Sequence, residues 1–484
     1  MGRLWLLAGV SLAGYAILRA WMPLAPHAAQ VARPDVASFA PWPWGVAAYA
    51  VLFLALLWVY WQAYRWVLTS KRQVSLAAVL LPAVLFSAVL LGAFPINALD
   101  IYNYLLLGRV QAVFGHNPYV VSSAAIPQEI WLAYAGEWGD DISPYGPLFQ
   151  AAANAIALLS GNNLLAGLLL FKTLAALTML GSAAMIWLLL AHSAHNQRSA
   201  HTLLWAWNPA LLLTFAMNGH NDGLMIFWLL LGLWLIQRQH RVLGFAVMVL
   251  APLTKLNGLL PIPFFFLAVV RDLPTGRARA RMFLATAAAS TLVITVAFLP
   301  YGSPLAMLDR LVRTASGASY SPLMALMLAA RRLGMPVAWD SAAAAGVLAL
   351  AVTALWLAWR TWRGRSPLRA AADINVAFTL FSLGFRIWYA VWPFPWLVLD
   401  GAQAQGDATQ SARDRRVRSF RLRAGVWYLA TTQLSVLIYG PIRQAFFGQD
   451  HIWGLWIGVL SAFCLPLLLA ALFHPREPAT RSQG

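Results

Sequence analysis

Sixteen Asp and Glu residues are all that 484 positions carry, and charged residues of both signs make up 10% of the chain. A soluble protein of this length is about a quarter charged, so an ordinary water-facing surface cannot be built from this composition. The single cysteine, Cys464, lies within an apolar run and supports neither a disulfide nor a thiolate metal site. Strand-like alternation of polar and apolar residues is also missing, which argues against an outer-membrane barrel. No stretch reads as a soluble domain, and no internal repeat is evident.

What is present is hydrophobic. Residues of that class make up 61% of the chain, and many apolar runs approach the roughly 20 residues a helix needs to cross a bilayer. The fold class is therefore an all-α polytopic membrane protein, taken as a single transmembrane domain over 1–484. The net charge of +18 comes almost wholly from Arg, in short segments between apolar runs. That is the pattern of cytoplasmic loops facing anionic headgroups rather than of a nucleic-acid surface.

The positive-inside rule orders the spans. Residues 4–22 form the first; no small-residue cleavage site follows, so they are read as a retained anchor rather than a signal peptide. Spans at 44–68 and 74–94 bring the chain to the extracytoplasmic side at Asn97. The loop 97–147 holds five of the sixteen acidic residues and one Arg. The run 148–160 is too short to cross and reads as a half-helix at the outer face, followed by a full span at 164–191. The Arg-rich segments at 237–241, 271–281, 360–369 and 413–423 then all fall in the cytoplasm. Two tracts, 242–270 and 374–399, are interrupted at Pro252–Gly258 and Phe385–Tyr389. They read as hairpins whose broken tips reach the outer face, such breaks being tolerated where they line a cavity. About 12–14 transmembrane helices result, with both termini cytoplasmic. The three stretches are an outer loop (97–147), a transmembrane module (148–300) and C-terminal helices (301–484).

This topology collects ionisable residues at one surface: Asp100, His116, Asp140, Asp141, His220, Asp222, Lys255, Arg310, Arg313 and Arg386. Ionisable groups at membrane depth point to function. Plainer readings compete. Asp100 and Asp222 each stand where a carboxylate caps a helix, and Gly115–Tyr119 and Ser143–Pro147 have the composition of turns. Lys255 and Arg386 can snorkel to headgroups, and Tyr102, Tyr104, Tyr145 and Trp388 can belong to an interfacial aromatic belt. In a helix, Asp100 and Tyr104 share a face while Tyr102 points elsewhere.

Asp-x-Tyr-x-Tyr at 100–104, Gly-His-Asn-Pro-Tyr at 115–119 and Ser-Pro-Tyr-Gly-Pro at 143–147 together resemble the first outer loop of GT-C glycosyltransferases. The nearest branch is the bacterial polyprenyl-phosphate-mannose-dependent α-mannosyltransferases; the GPI mannosyltransferase is more distant. Trp207-Asn-Pro209, Asn218-Gly-His-Asn-Asp222, Lys255 and Trp388-Tyr-x-x-Trp-Pro393 extend the likeness from about Asp100 to Trp396. The resemblance implies a GT-C-like bundle with amphipathic juxtamembrane helices in its first outer loop, in a bacterial-type plasma membrane. It implies transfer of a hexose, mannose in that branch, from a polyprenyl-phosphate donor to a glycan or glycolipid hydroxyl. Asp100 would be the general base of an inverting single displacement. Lys255, Arg386, His220 and Arg313 would hold the donor phosphate. Asp222, Tyr102, Tyr104, Asn117, Tyr145 and Trp388 would bind acceptor or sugar.

No cofactor is expected. Some GT-C enzymes hold a divalent ion on Asp-x-Asp, whereas this chain has adjacent Asp140 and Asp141, the only candidates should an ion bind with a substrate phosphate. The alternative function is a transporter or flippase for a lipid-linked substrate. Such sites sit near the midplane at a repeat interface, whereas these charges fall at one surface. A polysaccharide ligase is a further rival, but the Asp100 match argues against it.

Overall fold

A computed structural model describes residues 1–31, 34–97, 100–303, 320–406, 411–448 and 451–473. Among these there is no strand, and the one isolated bridge pairs Pro23 with Ala93. Six helices are long and apolar enough to cross a membrane: Gly2–Trp21, Trp44–Thr69, Leu164–Leu189, Gly276–Phe298, Trp339–Trp362 and Ile452–Leu472. The pair Pro209–Met217 and Asp222–Gln237 passes the same test together but is bent by 114° at its break. Against the roughly 12–14 spans expected, this gives six span-length helices among the described residues, or seven with the bent pair; Leu76–Leu91 and Leu256–Arg271, where further spans were expected, are shorter apolar helices. Pro147–Ser160 has 14 residues, or about 21 Å of helix, well short of the hydrocarbon layer. Gly276–Phe298 and Trp339–Trp362 bury only 17% of their apolar windows inside the protein. Leu284, Leu292, Val347 and Leu355 are exposed there, as lipid-facing residues should be.

Both broken tracts appear as the sequence suggests. Arg241–Met248 and Ile262–Arg271 flank a 3-10 turn at Leu256–Leu259. Pro367–Phe381 and Phe394–Gly406 flank another at Ile387–Val391.

The Asp100–Ala112 helix differs from its amphipathic appearance. Every residue from Ile101 to Val110 is buried. Pro147–Ser160 covers one side, and Gly108 allows a contact so close that a Cβ there would lie 2.3 Å from the Ala153 carbonyl oxygen. Arg109 ties the following loop to the end of the Pro147–Ser160 helix. Its guanidinium meets Glu129 at 2.9 Å with both side chains almost wholly buried, donates to Gly161 O and Asn162 Oδ1 at 3.2 Å, and lies 4.3 Å over Trp131. Removing one partner of a buried pair strands the other charge, at about 3–5 kcal/mol. Glu129→Ala should therefore lower the melting temperature of the detergent-purified protein and open residues 113–146 to protease. An unchanged melting curve would show that the pair does not hold the loop.

A second ionic network gathers the Arg-rich segments. Arg369 pairs with Asp400 and Asp414, Arg418 with the same two carboxylates, and Arg365 and Arg421 with Asp373. Burial alone would raise the Asp414 carboxyl, but hydrogen bonds and charge from Arg369 and then Arg418 hold it below its usual range. Arg271 donates to Thr361 O at 2.8 Å, joining a third segment. Arg418 and Gln433 lie fifteen residues apart on the Ala412–Leu437 helix, which separates them by about 22 Å along its axis.

Candidate active site

The site is assembled around the turn that breaks Pro209–Met217 from Asp222–Gln237. Asn208 caps the first piece, its Oδ1 accepting from Ala210 N at 2.9 Å. The chain then widens into a π-helical segment at Leu213–Met217, a distortion often found beside functional residues. Gly219 has φ +73°, and a Cβ there would lie 2.7 Å from Ile101 Cδ1. The turn thus needs glycine both for its backbone conformation and for its packing against the residue after Asp100. The approach to Asp100 is tied to the same turn. Asn97 N donates to Asn218 Oδ1 at 3.2 Å, Asn97 Nδ2 to Gln433 Oε1 at 2.9 Å, and Gln433 Nε2 to Thr214 Oγ1 at 2.9 Å.

Asp222 begins the next helix, yet its side chain does not serve as a simple cap. Lys255 Nζ donates to both its oxygens, at 2.9 and 3.1 Å, and Trp392 Nε1 donates to Oδ1 at 2.6 Å. The carboxylate is fully buried and the lysine 12% exposed, so the pair is shielded from the solvent screening that weakens surface ion pairs. Tyr389 stacks on Trp392 with ring centroids 4.1 Å apart, and Lys255 Nζ lies 5.3 and 5.6 Å from the two ring centres. Trp388 stacks on His220 at 4.1 Å. Each aromatic of the Trp388-Tyr-x-x-Trp392 motif therefore touches one element of the site.

Lys255 is placed by the 97–147 loop. Gly146 N donates to Thr254 O at 3.0 Å and Leu148 N to Leu253 O at 2.9 Å. A Cβ on Gly146 would sit 2.1 Å from that Leu253 oxygen, so Ser143–Pro147 lies directly on the chain leading into Lys255. Tyr145 is held by Tyr119, whose hydroxyl donates to Tyr145 O at 2.7 Å, and packs edge-on against Tyr104 with centroids 5.0 Å apart.

The charged residues form one neighbourhood. The Tyr389 hydroxyl lies within Coulombic reach of Lys255, Arg386, Asp222 and Asp100, and Tyr145 within reach of Asp100, Tyr389 and Asp222. Asp100 is half-buried. Arg386, also half-buried, lies 5.8 Å over the Trp138 ring. A carboxylate, an ion pair, a further guanidinium and several phenols can together deprotonate a hydroxyl and balance a developing anion.

The structure thus brings Asp100, Tyr104, Tyr145, His220, Asp222, Lys255, Arg386 and Trp388 together. Tyr102 is elsewhere: its hydroxyl donates to Ala28 O at 3.0 Å and its ring stacks with Tyr134, so it anchors the segment after the first helix. Asn117 acts in the turn, accepting from Tyr119 N at 3.0 Å and donating to Tyr301 O at 2.8 Å. Asp140 is exposed and Asp141 half-buried; among the described residues no group of three or more His, Cys, Asp or Glu is placed to hold a metal. Arg310 and Arg313 lie outside the described residues.

Sequence reasoning did not single out Trp392, Tyr389, Gln433 or Lys172. The first two stood inside a quoted motif, four and one residues after Trp388. Lys172 is fully buried, and its Nζ donates to the carbonyl oxygens of Leu90 at 3.1 Å and Leu91 at 2.6 Å, and to that of Ala93. A lysine within an apolar span is a signal in itself, here answered by the negative end of the Leu76–Leu91 helix.

Comparison with known proteins places the chain in a family. Residues 3–271 match the family described as alpha-(1->6)-mannopyranosyltransferase, N-terminal domain, a region that includes Asp100, Tyr145, His220, Asp222 and Lys255 but not Arg386 or Trp392. The chain is 28% identical over 218 residues to alpha-(1->6)-mannopyranosyltransferase A of Corynebacterium glutamicum, covering 42% of this chain and 44% of that one. It is 29% identical over 209 residues to the protein of the same name from Mycobacterium tuberculosis, covering 42% of this chain and 40% of the other. The chain thus spans less than half the length of these relatives. No solved structure matches it. With more than half its residues under the family model, the chain belongs to the alpha-(1->6)-mannopyranosyltransferase, N-terminal domain family.

Proposed function

We propose that this protein transfers a mannosyl group from a polyprenyl-phosphate-linked donor to a hydroxyl of a glycan or lipid acceptor at the extracytoplasmic face of the membrane. The observation that carries the reading is a half-buried Asp100 sharing one neighbourhood with the Lys255–Asp222 pair and Arg386. Mannose rests on the names of the relatives; the lipid phosphate rests on the positive groups and on the resemblance of the motifs.

Asp100 takes the proton of the acceptor hydroxyl as its oxygen attacks the anomeric carbon from the side opposite the phosphate. The new glycosidic bond forms while the bond from carbon to phosphate oxygen breaks, and the lipid phosphate leaves with the electron pair. The anomeric centre inverts, one base suffices, and the leaving group needs positive charge rather than a proton. Asp222 already balances Lys255, so the net positive charge facing the phosphate comes from Arg386. Lys255 adds the one ammonium hydrogen that Asp222 does not take. Sidedness is supported by the Ala412–Leu437 helix. Its first turns lie in the Arg network and its Gln433 holds Asn97, which puts the site at the end opposite the Arg clusters.

Purified protein in proteoliposomes should be offered polyprenyl phosphates carrying labelled mannose, glucose or arabinose, together with a mannose-terminated oligosaccharide. Label is expected to move from the mannose donor to the oligosaccharide. Movement from none of these donors would sink the proposal.

A further inference from the structure

The turn at the centre of the site carries two side chains whose polar atoms meet nothing. His220 is 1% exposed, and neither Nδ1 nor Nε2 has a hydrogen-bond partner. Asn221 is 4% exposed, and its Oδ1 and Nδ2 are both unpartnered. Buried polar groups in native proteins are almost always hydrogen-bonded, and leaving one unmet carries the full cost of its dehydration. Four such atoms on consecutive residues, beside a buried ion pair, are arranged for a partner that arrives from outside.

The surroundings hold both side chains in place. Trp388 stacks flat on the imidazole at 4.1 Å, so the ring presents its edge in a fixed orientation. Asn221 also lines a small cavity of about 10 Å³, walled by Phe149, Phe171, Thr178 and Gly219 among others but not by His220. Phe149 and Phe171 also pack on Tyr104, one helical turn from Asp100.

The donor and acceptor inventory selects the class of ligand. No carboxylate hydrogen-bonds to His220, and as a neutral ring it offers one N–H and one lone pair, while Asn221 offers an NH2 and a carbonyl oxygen. A phosphate brings only acceptors and would leave the ring lone pair and Oδ1 unmet. A hydroxyl both gives and accepts, so a polyol satisfies all four atoms. We propose that His220 and Asn221 read sugar hydroxyls and set which sugar this site accepts. The inference rests on the transfer reaction proposed above, and it gives His220 a different partner from the donor phosphate.

The test measures kcat/KM for donors lacking one ring hydroxyl each, and separately for acceptors lacking one each. The wild-type protein should disfavour at least one analogue by about 10²-fold or more, since a site built to bond a hydroxyl rejects its absence strongly. The arm in which that loss appears tells donor from acceptor. His220→Phe keeps an aromatic face for Trp388 and should slow the natural substrate while shrinking the penalty for that analogue to a few-fold. Asn221→Leu should do the same for its own hydroxyl, and His220→Gln, with one donor and one acceptor, should retain discrimination. Equal slowing of natural and deoxy substrates in the variants would make the residues structural and overturn the inference. So would a wild type indifferent to every missing hydroxyl. A wild type that transfers nothing from any lipid phosphate would overturn the reaction itself, and this inference with it.

Discussion

Asp100→Asn should lower transfer by about 10² to 10⁴-fold, the range general-base assistance supplies, while leaving the protein folded and inserted. Asparagine has the same shape and begins a helix equally well, so the Asp100–Ala112 helix and its packing on Pro147–Ser160 need not change. What is lost is the capacity to take a proton at the point where the acceptor oxygen must give one up. Turnover should be measured with saturating donor and acceptor, because the loss belongs in kcat. Substrate binding and the melting curve should stay near wild type. Turnover within a few-fold of wild type would remove Asp100 from the role of base.

The second large effect concerns Lys255, where fold and chemistry are entangled and can be separated. Lys255→Met leaves the Asp222 carboxylate buried with only the Trp392 indole for company. A stranded charge of this kind costs about 3–5 kcal/mol, so both stability and activity should fall. Adding Asp222→Asn neutralises the stranded charge and still accepts from Trp392. The double variant should regain most of the lost thermal stability yet remain inactive. Recovery of both would mean that the pair is structural alone, and recovery of neither that the indole contact depends on the charge.

Much of this site was legible in the chain, because the signals were local. The spacing of Asp100, Tyr102 and Tyr104 separates two faces of a helix, and the structure sends Tyr104 toward Tyr145 and Tyr102 toward Ala28. The break at 252–258, marked by Pro and Gly, and the break at 385–389 both interrupt the α-helix with 3-10 turns, with Lys255 and Arg386 immediately before those turns. The partners were not legible. Asp222 could be read as a cap or as an acceptor contact. Its actual partners stand 33 and 170 residues away, and periodicity carries no information at that range. Asn117 shows the reverse. The turn reading of Gly115–Tyr119 was available from composition and accounts for its bonds, whereas the family motif pointed to a ligand. The burial of Ile101–Val110 was hidden because the residues that cover it come from distant parts of the chain, and the helix's own Arg109 is answered by Glu129 across a loop.

The Ala412–Leu437 helix joins its Arg-rich first turns to Gln433, and through Gln433 to the residues that precede Asp100. It therefore acts as a gauge rod between the two leaflets. On the proposed reading, the arginines settle at one headgroup layer, and the rod sets how deep Asp100, the proposed base, lies beneath the other. In a thinner or thicker bilayer the basic end and Asp100 cannot both keep their preferred depth. Tilting or local deformation of the lipid must make up the difference, at fractions of a kcal/mol per Å. For the proposed reaction, the acyl-chain length of the host membrane thus becomes a variable in how readily the acceptor hydroxyl and the lipid-borne sugar meet at the same level.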